Sequence, residues 1–121
     1  MKRDMDLVRR LLFIIEEQED THSEIHIPKE LDRNLVVYHL NLMEQAGLTK
    51  NNIKYASDVP LWIYSQLTWE GHDFLDSIKN DTIWNKTKES IKSKGLELGQ
   101  VSFSVLKDFA VLKAKEKLGI I

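Results

Sequence analysis

The sequence predicts an α+β chain, and three observations carry that expectation. Residues Val36 to Leu48 place Val36, Leu40 and Met43 on one helical face and stop at Gly47, a residue suited to the left-handed position that ends a helix. Two strand-like segments follow, Leu48 to Ser57 and Leu61 to Leu67. In the second, Trp62, Tyr64 and Gln66 alternate with Ile63, Ser65 and Leu67, the period of a strand with unlike faces. Leu67-Thr68 then opens a new helical pattern, with Thr68 as its N-cap. Helix, hairpin and helix in this order predict a winged helix-turn-helix with a short β-hairpin wing. Two additional C-terminal helices complete it.

A chain of 121 residues, 42% apolar and 30% charged, suits one soluble domain with one modest core. Residues 1-81 form the expected winged-helix domain, and 82-121 a helical extension packed on the same domain. With no cysteine, disulfides, thiolate chemistry and sulfur-ligated zinc are excluded. The charged opening Met1-Lys2-Arg3-Asp4-Met5-Asp6 does not read as a signal peptide, and no apolar run spans a bilayer, so a cytoplasmic protein is expected. The net charge of −2 is unevenly spread. Residues 1–81 hold nine Lys/Arg against fifteen Asp/Glu, a balance of −6, and residues 82–121 hold eight against four, a balance of +4. Duplex binding relies on cations meeting phosphates, so the domain that resembles a DNA reader is the acidic one.

The first helix is expected from about Met5 to Glu17, capped by Asp4. Its stripe of Leu7, Val8, Leu11, Leu12, Ile14 and Ile15 is wide enough to pack on two sides. Asp20 to Ser23 reads as a loop. Ile25-His26-Ile27, stopped by Pro28, favours a short strand able to pair with the hairpin. Lys29 to Asn34 reads as a turn or abbreviated helix, with Asn34 capping the helix that follows. The hairpin is expected to turn around Asp58-Val59-Pro60, with a bulge or turn at Asn51-Asn52. Trp69, Phe74, Leu75 and Ile78 are expected to face inward on the next helix. A further helix begins at Asp81 or Thr82, buries Ile83, Trp84, Thr87 and Ile91, and ends near Gly95. The last runs from about Ser102 to Leu118, with Val105, Leu106, Phe109, Ala110 and Leu112 as its stripe.

The segment His39-Leu40-x-Leu42-Met43-x-x-Ala46-Gly47-Leu48 resembles the recognition helix of small bacterial winged-helix regulators, and Leu67-Thr68-x-x-Gly71 resembles the exit from their wing. A wider resemblance runs through Met1 to Leu7, Tyr38-His39-Leu40, Ala46-Gly47-Leu48, Leu67 to Asp76 and Asp81-Thr82-Ile83-Trp84-Asn85-Lys86. On these residues the chain is similar to the bacterial and phage family called domain of unknown function 2513. The resemblance implies a prophage or mobile-element setting and no assigned activity.

DNA reading would require polar side chains on the outward face of the helix at 35–46. With Val36, Leu40 and Met43 inward, Asn34, Val37, Tyr38, Asn41, Glu44 and Gln45 are expected to point out. Asn and Gln amides can read adenine edges, and a tyrosine hydroxyl can meet a phosphate. The candidate contacts are Arg33, Asn34, Tyr38, Asn41, Gln45, Lys50 and Lys54. Against them, the helix at 36–48 carries no Lys or Arg, and Glu44 would oppose a duplex. The C-terminal lysines Lys86, Lys88, Lys92, Lys94, Lys107, Lys113, Lys115 and Lys117 could bind phosphate or simply form a solubilising surface.

Other constellations read better as structure. His22 and His26 flank Glu24, but the glutamate has the wrong offset for a metalloprotease helix, so both read as surface histidines. Glu70 and Asp73 share a helical face that His72 leaves, so the three do not converge. His39 reads as a partly buried structural imidazole. Trp62, Trp69 and Trp84 suit a shared core, although Trp62 exposed on the wing would mark an interface. The chain is therefore expected to be no enzyme and to need no cofactor or metal. Double-stranded DNA is the first expected partner. The alternative is a protein-interaction module using Trp62, Tyr38 and the terminal helices, including an antagonist of a host protein. Homodimerisation through the first and last helices is a further expectation.

Overall fold

In a computed structural model, residues 1–18 and 24–121 are described. The order of elements is α1 (Met5–Glu16), α2 (Arg33–Gln45), β1 (Thr49–Ala56), β2 (Val59–Leu67), α3 (Trp69–Ile78), α4 (Asp81–Ser93), a 3-10 turn (Leu98–Gln100) and α5 (Phe103–Leu118). The α+β class is as expected, with five α-helices and one antiparallel hairpin among the described residues, and the turn at Lys29–Leu31 stands where a winged helix would carry its reduced helix.

Helix α1 lies at the centre. Asp4 caps it through its carboxylate, which accepts the Leu7 amide at 3.1 Å. Met5, Leu7, Val8, Leu11, Leu12 and Ile15 are all buried, against α2, α3 and β2. The wide apolar stripe is thus used within the chain. Packing of this extent supplies most of a helix's stability, since isolated helices of such length are marginal. His39, fully buried on α2, fixes the entry to α1: its Nε2 accepts the Asp4 amide at 2.8 Å, while Nδ1 lies 2.9 Å from the Leu35 carbonyl. These partners require a proton on Nδ1 and none on Nε2. The structural reading of His39 holds.

Several local expectations change. Ile25–Ile27 forms no strand among the described residues; the Ile25 amide donates to the Trp62 carbonyl at 2.8 Å and attaches it to the hairpin. Asp32, not Asn34, caps α2, accepting the Leu35 amide at 3.0 Å, so the helix begins earlier than Val36. The hairpin turns at Ser57-Asp58, both with positive φ (52° and 67°), so Val59 and Pro60 belong to β2. Two successive positive-φ residues match the twist of flanking strands. Asp20 to Ser23 lies outside the described residues.

The hairpin register also shifts. Asn52 pairs with Tyr64 and Ile53 with Trp62, so the irregularity falls at the expected place, but the extra residue is Ile63 on β2. A bulge reverses which face later residues occupy. Trp62 therefore shares the buried side with Ser65 and Leu67, not with Tyr64 and Gln66 as strict alternation requires.

The exit from the hairpin is tightly built. Thr68 caps α3 by accepting the Gly71 amide at 3.0 Å and donates its hydroxyl to the Gly47 carbonyl at 2.5 Å. Phe74, Leu75 and Ile78 are buried as expected. Trp69 is not: it stands on the outer side of the first turn, 79% exposed.

Helix α4 is tied to α1 by Asp6, whose carboxylate accepts from Trp84 Nε1 at 2.8 Å and Lys88 Nζ at 3.0 Å. Burial pushes the Asp6 carboxyl up, but those two hydrogen bonds and the positive charges of Lys88 and Arg9 outweigh it and hold the group below its usual range. Helix α5 packs on α3 and α4 through Leu106 and Ala110, and Phe103 meets Phe74 edge to face at 5.3 Å. Val105 and Leu112, expected in its inner stripe, face outward.

Candidate functional site

Residues on α2 turn by about 100° each, which gathers Asn34, Tyr38, Asn41 and Gln45 on one side. That side is the one the fold leaves open. Asn34, Asn41 and Gln45 are exposed, whereas Val36, Val37, His39, Leu40 and Met43 are buried. Val37, expected to point outward, belongs to the core side. Tyr38 is half-buried, and its hydroxyl donates to the Met1 carbonyl at 3.3 Å. The resulting face is polar and uncharged.

Two charged residues flanking it are already engaged. Arg33 Nη1 donates to the Pro60 carbonyl at 2.9 Å, fixing the start of α2 to the hairpin. Glu44 accepts the Asn51 amide at 2.6 Å. Its carboxylate is thus tied to β1 and held in place, with its negative charge retained beside the open side of α2. Lys50, Asn52 and Lys54 alternate as exposed residues along β1, between Thr49, Asn51 and Ile53. This alternation gives β1 one outward face with two ammonium groups.

A buried polar chain joins this strand to α2. Trp62 Nε1 donates to Ser65 Oγ at 2.6 Å, Ser65 donates to Asn51 Oδ1 at 2.6 Å, and Asn51 Nδ2 donates to the Leu40 carbonyl at 2.8 Å. Asn51, which also gives its amide to Glu44, therefore fixes how the wing sits against the helix. No spacing in the sequence marks it, because the chain of contacts depends on the bulge at Ile63. Trp62 itself is 1% exposed, which removes it as an interaction residue. Trp69, which the sequence reading put in the core, is exposed instead, as is Tyr55 near the tip of the wing.

The remaining constellations do not assemble. Glu70, His72 and Asp73 are all exposed on α3, and Glu70 approaches Lys107 at 4.0 Å. His26 is exposed, and His22 lies outside the described residues. Among the C-terminal lysines, Lys88 and Lys113 are paired with Asp6 and Glu116, while Lys86, Lys92 and Lys94 lie exposed on and after α4. No helix among the described residues is long and apolar enough to cross a membrane.

Comparison with known proteins gives kinship without a reaction. The family described as "hypothetical protein (DUF2513)" matches over residues 2–97, which takes in α1 to α4 and stops before α5. An uncharacterized protein of Haemophilus influenzae (strain Rd KW20) is 40% identical over 102 residues, covering 81% of this chain and 85% of that protein. No solved structure matches the chain.

Proposed function

The chain belongs to the domain of unknown function 2513 family, and we propose that it binds double-stranded DNA, with α2 entering the major groove and β1 following the backbone. One observation carries this reading. The open side of α2 offers Asn34, Tyr38, Asn41 and Gln45, all hydrogen-bonding and none charged, at one-turn spacing. Asn and Gln amides can donate to N7 and accept from N6 of adenine, and a tyrosine hydroxyl can meet phosphate. Glu44, the residue most opposed to a duplex, is held by Asn51. Lys50 and Lys54 supply backbone contacts from the wing, and Arg33 is braced on Pro60 at the start of β2. The role we attach to this binding is that of a cytoplasmic, prophage- or phage-type transcriptional regulator, not an enzyme.

A second reading has its own support. Trp69 is 79% exposed, and tryptophan is over-represented where proteins bind one another. A protein-interaction module would use it, in place of the buried Trp62. Fluorescence anisotropy with a pool of labelled genomic duplexes at low salt separates the two. Binding that is weakened in Lys50→Gln/Lys54→Gln and retained in Trp69→Ala is the expected result. No binding at low salt overturns the DNA reading.

A further inference from the structure

Helix α5 presents its outer side without a partner. At about 100° per residue, Val105, Phe109 and Leu112 fall within roughly 60° of one another. Val105 is 45% and Leu112 42% exposed, while the opposite side of the helix is buried through Leu106 and Ala110. The strip continues into an apolar groove between α4 and α5, about 380 Å³, whose walls include Ile91, Leu96, Val101 and Val105. After α5, Gly119 turns in the left-handed region (φ 76°), and Ile120 and Ile121 project, each 64% exposed. Apolar surface gathered in this way on a small soluble chain marks a contact surface.

Charge identifies what covers it. Asp108 and Lys115 are seven residues apart, hence about 20° from each other on one flank of the strip. Both are exposed and neither has an ion-pair partner among the described residues. In an antiparallel pair of identical helices, each flank meets the same flank of its copy. A two-fold axis between Val111 and Leu112 then sets Asp108 of each copy opposite Lys115 of the other, twice over. Leu112 meets its own counterpart at the axis, and Phe109 lies beside it. The same register carries Leu118, the end of α5, to the level of Val105, so that Ile120 and Ile121 just beyond it reach the groove walled by Leu96, Val101 and Val105. A single register thus pairs Asp108 with Lys115 and aligns the strip with the groove, while Glu116, at the C-terminal end of the strip, stays paired with Lys113 of its own helix.

We infer that the protein forms a two-fold homodimer through antiparallel α5 helices, with Ile120 and Ile121 of each copy seated in the α4–α5 groove of the other. The interface is isologous, so every contact occurs twice. It does not depend on DNA binding and uses a helix beyond the span that the family match covers.

Sedimentation equilibrium of the full chain tests it, with an expected mass of twice 14.1 kDa. Leu112→Glu is expected to give a monomer whose circular dichroism matches the parent, because Leu112 has no core role, and whose thermal melt does not vary with concentration as that of the dimeric parent does. Asp108→Lys and Lys115→Asp each create two like-charge contacts per dimer and are expected to weaken it about tenfold. The double swap D108K/K115D is expected to restore it. A parent chain that stays monomeric up to millimolar concentration overturns the proposal. So does a dimer unchanged by Leu112→Glu, or a double swap that is weaker than either single change.

Discussion

A methyl group placed on Gly71 would meet the carbonyl oxygen of Leu48 at 2.0 Å. Helix α3 therefore lies directly on the backbone where α2 gives way to β1, closer than any side chain permits. The same junction holds two further contacts, Thr68 amide to Leu48 carbonyl at 3.0 Å and Thr68 hydroxyl to Gly47 carbonyl at 2.5 Å. The step Leu67-Thr68-x-x-Gly71 is thus a device that closes α3 onto the end of α2.

Gly71→Ala is expected to destabilise the fold in spite of improving helix propensity. Replacing a helical glycine gains at most about 1 kcal/mol. Forcing a methyl into a filled space costs about 3 kcal/mol when the obstacle is backbone. A net loss of about 2 kcal/mol follows from these two, read as a lower urea midpoint at unchanged slope. Gly47→Ala is the contrast: nothing lies within 4 Å of its Cβ, and only the positive φ of 79° is strained. Its cost should stay near 1 kcal/mol. Equal losses at the two sites would refute the close-approach account.

Ser65, itself buried, stands between the buried Trp62, from which it accepts, and the half-buried Asn51, to which it donates. Ser65→Ala leaves the indole N–H unpaired in the core, where an unsatisfied donor costs about 1–3 kcal/mol. Asn51→Ala is expected to cost at least as much, because it releases the Leu40 carbonyl and the Ser65 hydroxyl together. The double variant should fall short of the sum, since both members serve one chain of hydrogen bonds. Additive losses in chemical denaturation would mean that the chain is not a unit.

Local chemistry was legible in the sequence wherever a residue acts on its own neighbours. Asp4 and Thr68 as caps, Gly47 as a helix end, and the burial of Leu40, Met43, Phe74 and Trp84 follow from spacing and side-chain type. What sequence periodicity missed was set by irregular backbone or by distant packing. One extra residue at Ile63 put Trp62 on the opposite face from Tyr64 and Gln66, with which strict alternation groups it, and made Asn51 structural. Trp69 has the composition of a core residue, yet it sits at the first position of α3 with its side chain in solvent. The open polar side of α2 was readable from its buried side. The commitment of Glu44 and Arg33 was not, because both reach partners that only the folded hairpin brings near.

Asp6 makes stability depend on acid. Its carboxyl titrates below the ordinary value of 3.8, so ionisation is favoured in the folded chain. Its contribution is complete above that ordinary value and is lost as pH falls through the lower folded value. Asp6→Asn removes this dependence while keeping an oxygen for Trp84 Nε1. The parent should be the more stable at neutral pH, and the difference should shrink in urea titrations taken below about pH 4. The carboxylate is 59% exposed, so solvent screens the effect and the expected difference is small. A gap that stays constant down to acid pH would show that the charge of Asp6 contributes nothing.

The proposed DNA contacts separate into two kinds, and salt distinguishes them. Lys50 and Lys54 would meet phosphates, and each phosphate neutralised adds about 0.9 to the slope of log affinity against log salt. Lys50→Gln/Lys54→Gln is therefore expected to lower that slope by roughly 2 and to weaken binding to all duplexes alike. Asn41 and Gln45 would meet base edges, which carry sequence information and release few counterions. Asn41→Ala should leave the slope unchanged and cost about 1–3 kcal/mol on the preferred site, with little change on other sequences. Both side chains stand clear of the core, so folding should be unaffected. Anisotropy titrations at four or more salt concentrations would give both quantities from one set of proteins. A slope that ignores the two lysines removes the wing from the interface. An Asn41→Ala loss that is equal on every sequence removes α2 as the reading element.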